Sequence, residues 1–202
     1  MLLVLLALVL GVLVGLALGG RVGRIADIRL RWWGLAFLGL ALQLIPISSG
    51  PGQLDHWLAV GLLVGSYLVL LVFVAANIRR SGFPLVAVGF ALNALVISLN
   101  GGMPVSDHAL HVGAGPYYQE TRERLTEHGG EKHHLRRPGD VLVELGDVIP
   151  VGPPFRQVLS AGDVLWLLGT SWVIAGAMGT RHAGRRTPLP QEGDRGSADA
   201  VA

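Results

Sequence analysis

The side chains best able to do chemistry gather between Asn100 and Ala161. Five of the seven histidines lie in or beside this stretch. His108 and His111 are three apart, His133 and His134 are adjacent, and His128 lies between the pairs. With His56, Asp107, Asp147 and Asp163 they could form a His/carboxylate site for Zn²⁺ or another divalent metal. The spacing follows no specific metal signature, because His-Glu-x-x-His is missing and the chain has no cysteine. Neighbouring His133 and His134 could not easily both ligate from a regular helix. Solvated loop histidines are the weightier reading for each. His134 is the first to test, since an apolar, proline-flanked segment follows it. His133 and His134 remain the metal-ligand candidates.

Carboxylates come next. Gly-Asp-Val occurs three times, at 139–141, 146–148 and 162–164. An Asp before an apolar helical run is an ordinary helix cap, accepting from free backbone N–H groups at the positive helix end. That reading suits Asp163 and Asp140. Asp147 fits it less well and is the preferred functional carboxylate. Asp147, Asp163 and His134 are therefore the candidate catalytic groups. Asn100-Gly101-Gly102-Met103-Pro104 reads as a helix end with a sharp turn. Its exposed amides could also hold an anionic headgroup or substrate. No Lys-Ser/Thr follows, so a phosphate-loop reading fails. Asn93 and Asn100 are seven apart and share a helix face. An Asn in an apolar span usually faces the bundle, as packing glue or as the lining of a polar cavity. Asn93, Asn100, Gly101 and Gly102 form the ligand-binding candidates.

The elements that must position these groups are apolar blocks. Hydrophobic residues make up 51% of the chain and charged residues only 15%, with mean hydropathy +0.52. Blocks of about 20 apolar residues match a hydrocarbon layer of roughly 30 Å. The expected fold is an all-α, polytopic transmembrane bundle. Its five spans fall at about 1–20, 32–48, 58–77, 84–99 and 162–179. An outer loop at 100–161 joins the last two, and 181–202 reads as a disordered cytoplasmic tail.

The first block lacks the basic n-region of a signal peptide, so it reads as a span. Ala7, Gly11, Gly15 and Gly19 recur every fourth residue. They form a ridge for packing within the protein or for self-association. Arg21, Arg24, Arg29 and Arg31, then Arg79 and Arg80, then Arg181, Arg185 and Arg186 all fall on one side of this topology. That side is the cytoplasm by the positive-inside rule. The N-terminus and the long loop then lie outside a plasma membrane. The loop holds eight acids against six bases. Within it, Tyr117 to His128 reads as a solvated helix or disordered. Pro138 to Ile149 reads as a short helix lying on the membrane surface, with Val141, Leu142, Leu145, Val148 and Ile149 on one side. A net charge of +2 is too small to suggest nucleic acid.

The phrases Asn93-Ala94, Asn100 to Val105, His134, Leu145-Gly146-Asp147-Val148-Ile149-Pro150 and Ser160 to Leu165 carry a resemblance. The sequence resembles a family of small bacterial membrane proteins, domain of unknown function 5317, over about residues 1–180. The resemblance implies shared outer-face phrases and brings no activity with it. The expectation is a non-enzymatic envelope component whose outer loop engages a lipid, envelope molecule or partner protein. The alternative is a metal- or carboxylate-dependent enzyme acting on a membrane-borne substrate.

Overall fold

The computed structural model describes residues 2–45, 53–127 and 132–179. His128, the expected 181–202 tail and residues 46–52, which include the end of the expected second span, lie outside the described residues. The chain is mostly helical. Five apolar helices form a bundle: α1 (Leu2–Ala17), α2 (Trp33–Leu44), α3 (Gln53–Ala76), α4 (Phe83–Asn100) and α7 (Ala161–Met178). Three of them are long and apolar enough to cross a membrane, over His56–Ala76, Phe83–Asn100 and Ala161–Met178. The described parts of α1 and α2 are shorter, at 16 and 12 residues.

The helices pack in the order α1, α7, α4, α3, α2. Small residues set that order by letting backbones approach. A methyl on Gly11 would meet the Ser171 carbonyl oxygen at 2.6 Å, and one on Gly15 would meet the Met178 sulfur at the same distance. The small-residue ridge of α1 therefore lies on α7 of the same chain, and Ser171 Oγ donates to the Ala7 carbonyl at 2.8 Å. On its other side α7 meets α4, where a methyl on Gly89 would meet the Gly162 carbonyl at 2.5 Å.

The two ends of the bundle differ in chemistry. At one end Arg21 N–H donates to the Met178 carbonyl at 3.0 Å. Arg24 donates to the Gly179 carbonyl at 2.8 Å. Asn77 ties the end of α3 to Arg31 through two hydrogen bonds of 2.9 Å. At the other end, residues 101–127 and 132–160 fold into a cap.

The cap decides between two alternatives in one segment and corrects the expectation for another. Residues 118–127 form a helix, α6 (Tyr118–Glu127), packed on α5 (Asp107–Ala114). Tyr118 and Leu125 of α6 pack on a small core of Val105, Leu110 and Ala114. The surface helix expected over Pro138–Ile149 does not form. Only a one-turn 3-10 segment occurs there, Val143–Leu145, followed by strand β3 (Ile149–Val151), which pairs antiparallel with β4 (Gln157–Leu159). The apolar residues at helical spacing are also compatible with a turn-and-strand path, and backbone pairing decides between the two. Strand β1 (Met103–Val105) runs parallel to β2 (His133–Leu135) on one side. On its other side it takes the Asp147 N–H onto the Pro104 carbonyl at 3.0 Å, and the Asp147 carbonyl accepts from Ser106 N–H at 2.9 Å. Asp147 is thus fixed as a strand-like residue at the centre of the cap.

Candidate functional site

Asn100 ends α4, and Gly101 at φ +65° closes it. That left-handed turn sends the chain straight into β1. Asn100 uses its whole amide to hold the cap: Nδ2 donates to the Val96 and Val141 carbonyls at 2.8 and 3.0 Å, and Oδ1 accepts from Val141 N–H at 2.8 Å. Gly102, at φ +149°, makes room for the next layer, since a methyl there would sit 3.0 Å from His134 Nδ1.

The strand geometry of β2 separates the two candidate histidines. Neighbouring residues on a strand face opposite sides. His134 is buried under Gly102 with Nε2 3.2 Å from both oxygens of Asp140. Asp140 also accepts from the Arg137 N–H at 2.7 Å. Burial lowers the His134 pKa, and the Asp140 carboxylate pulls it back up. His133 faces the other way, with Nε2 3.7 Å from Asp147 Oδ2. The two do not converge on one ion. Among the described residues no three His, Asp or Glu side chains come together as metal ligands. His111 stacks edge-on against Tyr118, 4.8 Å between centroids.

Asp163 and Asn93 do meet. The start of α7 is a capping box in which Ser160, not Asp163, is the N-cap. Asp163 N–H donates to Ser160 Oγ and Ser160 N–H donates to Asp163 Oδ2, both at 3.0 Å. Asp163 Oδ1 accepts from Asn93 Nδ2 at 2.8 Å and from Trp166 Nε1 at 3.1 Å. Ser160 Oγ donates to Asn93 Oδ1 at 2.9 Å, and Asn93 Nδ2 also lies 3.5 Å from the Tyr67 hydroxyl oxygen. This network ties α3, α4 and α7 together beneath the cap.

Asp147 has a different environment. Its side chain is only 9% exposed. It accepts no hydrogen bond among the described residues, and His133 at 3.7 Å lies beyond hydrogen-bond distance. Burial pushes its carboxyl well above the ordinary carboxylate range, and the charge of Asp163 pushes the same way. His133 is half-exposed, but the protein packed around its ring lowers its pKa, against the opposing pull of Asp163. Both effects favour a neutral acid beside a neutral imidazole.

Asp147 and His133 open onto a groove of about 600 Å³ in the cap. Val105, Leu110, Ala114, Leu125 and Val158 give it an apolar floor. Glu120 and Arg124 of α6, Tyr117 and Arg156 supply its other polar walls. Arg124 is paired with Glu120 at 2.8 Å. Arg156 holds its guanidinium 5.3 Å from the Tyr117 ring centroid. Its backbone is left-handed, at φ +49°, which costs a non-glycine residue about 1–2 kcal/mol. Sequence spacing could not single out Arg124 or Arg156. They reach the groove through contacts between α5, α6 and β4, which no local pattern encodes. The left-handed arginine had no signal at all.

Three helices long and apolar enough to cross a membrane, with a small folded cap and a polar groove at one end, define the class: a mostly helical protein with candidate membrane spans. The chain belongs to a family of unknown function, DUF5317, whose profile matches residues 27–175. The match takes in the cap, Asn93 and Asp163 and leaves out α1, so it is shorter at its start than the resemblance implied. The chain is also similar to an uncharacterized protein of Thermotoga maritima, 32% identical over 136 residues, covering 66% of this chain and 71% of that protein. No solved structure matches the chain.

Proposed function

We propose that the chain is a five-span plasma-membrane protein, N-terminus outside, whose cap lies outside and binds a lipid or other envelope molecule in its groove. Its role is that of a non-enzymatic envelope component. The arginines at the end opposite the cap support this orientation through the positive-inside rule. The observation that carries the binding role is Asp147, a nine-tenths buried carboxyl that has no hydrogen-bond donor among the described residues and lines a groove with an apolar floor. Pockets of this size and lining are the usual form of small-molecule sites.

Orientation is testable because the sequence has no cysteine. A single cysteine at Val141 should react with a membrane-impermeant maleimide from outside intact cells, and one at Arg80 should not. Binding is tested by native mass spectrometry of the detergent-purified full chain. A retained small molecule should be lost from Thr121→Trp, which fills the groove from α6. A bare wild-type chain, or a molecule kept by the variant, would sink the reading.

The enzyme alternative takes its support from His133, whose accessible ring beside Asp147 could exchange protons with a bound substrate. It predicts a product when the full chain meets a bacterial lipid extract, abolished in His133→Ala. A divalent ion in the purified chain, lost from a His133→Ala/His134→Ala variant, would favour it. Unchanged extract and a metal-free protein would remove it.

A further inference from the structure

Among the described residues, the groove holds two charge-bearing groups without a hydrogen-bonded partner of opposite charge. Asp147 is one. Its neighbour Asp163 adds negative charge, while the Asp163 oxygens take only neutral donors from Asn93, Trp166 and Ser160. Lys132, next to His133 in the chain, spends its ammonium on the Gln43 carbonyl. No Lys or Arg forms an ion pair with Asp147 or Asp163 among the described residues. Arg156 is the other. It pairs with no carboxylate among the described residues, and its place over Tyr117 is held by a left-handed backbone. Strain of that kind is kept where it fixes a side chain for use. An arginine fork is suited to phosphate or carboxylate oxygens. A buried carboxyl without a donor is suited to an ammonium, which brings three donors and a charge.

We propose that the groove binds a zwitterionic amphiphile. A primary ammonium sits at Asp147 beside His133, an anionic phosphate or carboxylate sits at Arg156, and an apolar portion covers Val105, Leu110 and Val158. The proposal rests on the groove being a ligand site. An ethanolamine phospholipid headgroup and a soluble phosphoethanolamine share this polar chemistry. The apolar floor favours the lipid.

The test titrates the full chain, purified in nonionic detergent, with three probes by calorimetry: dihexanoyl-phosphatidylethanolamine, dihexanoyl-phosphatidylglycerol and free O-phosphoethanolamine. The ethanolamine lipid should bind at least tenfold more tightly than either other probe. Asp147→Asn should remove that preference over the glycerol lipid. Arg156→Gln should weaken both lipids at least tenfold. Equal binding of the two lipids, both lost in Thr121→Trp, would overturn the zwitterion and keep the groove as a site. Equal affinity for free phosphoethanolamine would keep the zwitterion and overturn the lipid source. Binding absent for every probe, or unchanged in Thr121→Trp, would overturn the groove reading itself.

Discussion

Asp163 and Asp147 stand in the same Gly-Asp-Val phrase, sixteen residues apart in the chain, and the fold treats them in opposite ways. Asp163 accepts from Asn93, Trp166 and the Ser160 backbone, so its oxygens are well supplied. Asp147 sits deeper and has no donor among the described residues, only a half-exposed histidine at 3.7 Å. Such a carboxyl keeps only a small contact with solvent, and losing most of its hydration without a protein donor costs stability. The contrast separates a carboxylate that holds helices together from one that lines the groove with no donor among the described residues.

The largest effect expected on the structural side comes from the seam beneath Asp163. Gly162→Val would drive a side chain into Asn93 Oδ1 and into the Gly89 carbonyl, 2.6 Å from the added carbon. Backbone cannot give way as a side-chain end can, so the loss should be about 4 kcal/mol. Thermal unfolding of the detergent-purified chain would read it, and an unchanged midpoint would show that α4 and α7 do not pack this closely.

Asp163→Ala should cost about 3 kcal/mol, because it orphans Asn93 Nδ2, Trp166 Nε1 and the Ser160 N–H together. The double mutant with Asn93→Ala should cost well under the sum of the two single losses, since either change alone already breaks the network. If the two losses simply add, the network is not a unit and the comparison with Asp147 weakens.

Asp147→Asn should do the reverse. An acid whose folded pKa is raised binds its proton more tightly in the folded state than in the unfolded one. Its contribution is complete below the ordinary value of 3.8 and is lost as pH rises through the folded value. Burial sets this first, and the negative charge of Asp163 on α7 adds to it; His133 on β2 faces the same carboxyl at 3.7 Å. The ligand-free wild type should therefore lose stability as pH rises above about 4. The Asn variant should lose less and gain about 1 kcal/mol at pH 8, the usual trade of stability against function. Parallel stability curves for the two proteins would show that Asp147 is ionised and satisfied in some other way.

How far the sequence disclosed this contrast depends on the range of the contacts involved. The apolar blocks and the pairing of Asn93 with a polar partner were legible, because both follow from helix period and from the cost of a lone amide among apolar side chains. Asp147 stood out because it fitted no helix cap. Yet the helix drawn around it was wrong: β1 lies 42 residues earlier at Val105 and supplies its backbone partners, and no local spacing records that pairing. By the same rule nothing local distinguishes His134, which the fold buries against Asp140, from His133, which it turns toward the groove. Two alternating faces of a strand cannot be told apart before the strand is known.

The smallest effect on stability should be the sharpest test of function. Arg156→Gly relieves a left-handed backbone worth about 1–2 kcal/mol. It also removes the stacking on Tyr117, worth about 0.5–1 kcal/mol at an exposed site. These terms nearly cancel, so the unfolding midpoint should move little or rise slightly. A residue kept only for structure would show no further consequence. If Arg156 is instead held in that conformation to meet an anion, the same glycine variant should lose lipid affinity at least tenfold while folding as well as before. Arg156→Lys separates charge from shape. It keeps the cation and loses the planar fork, so it should restore only part of the affinity if two oxygens are gripped at once. Full restoration by lysine would mean that the groove needs only a positive charge there, and full affinity in the glycine variant would remove Arg156 from the site.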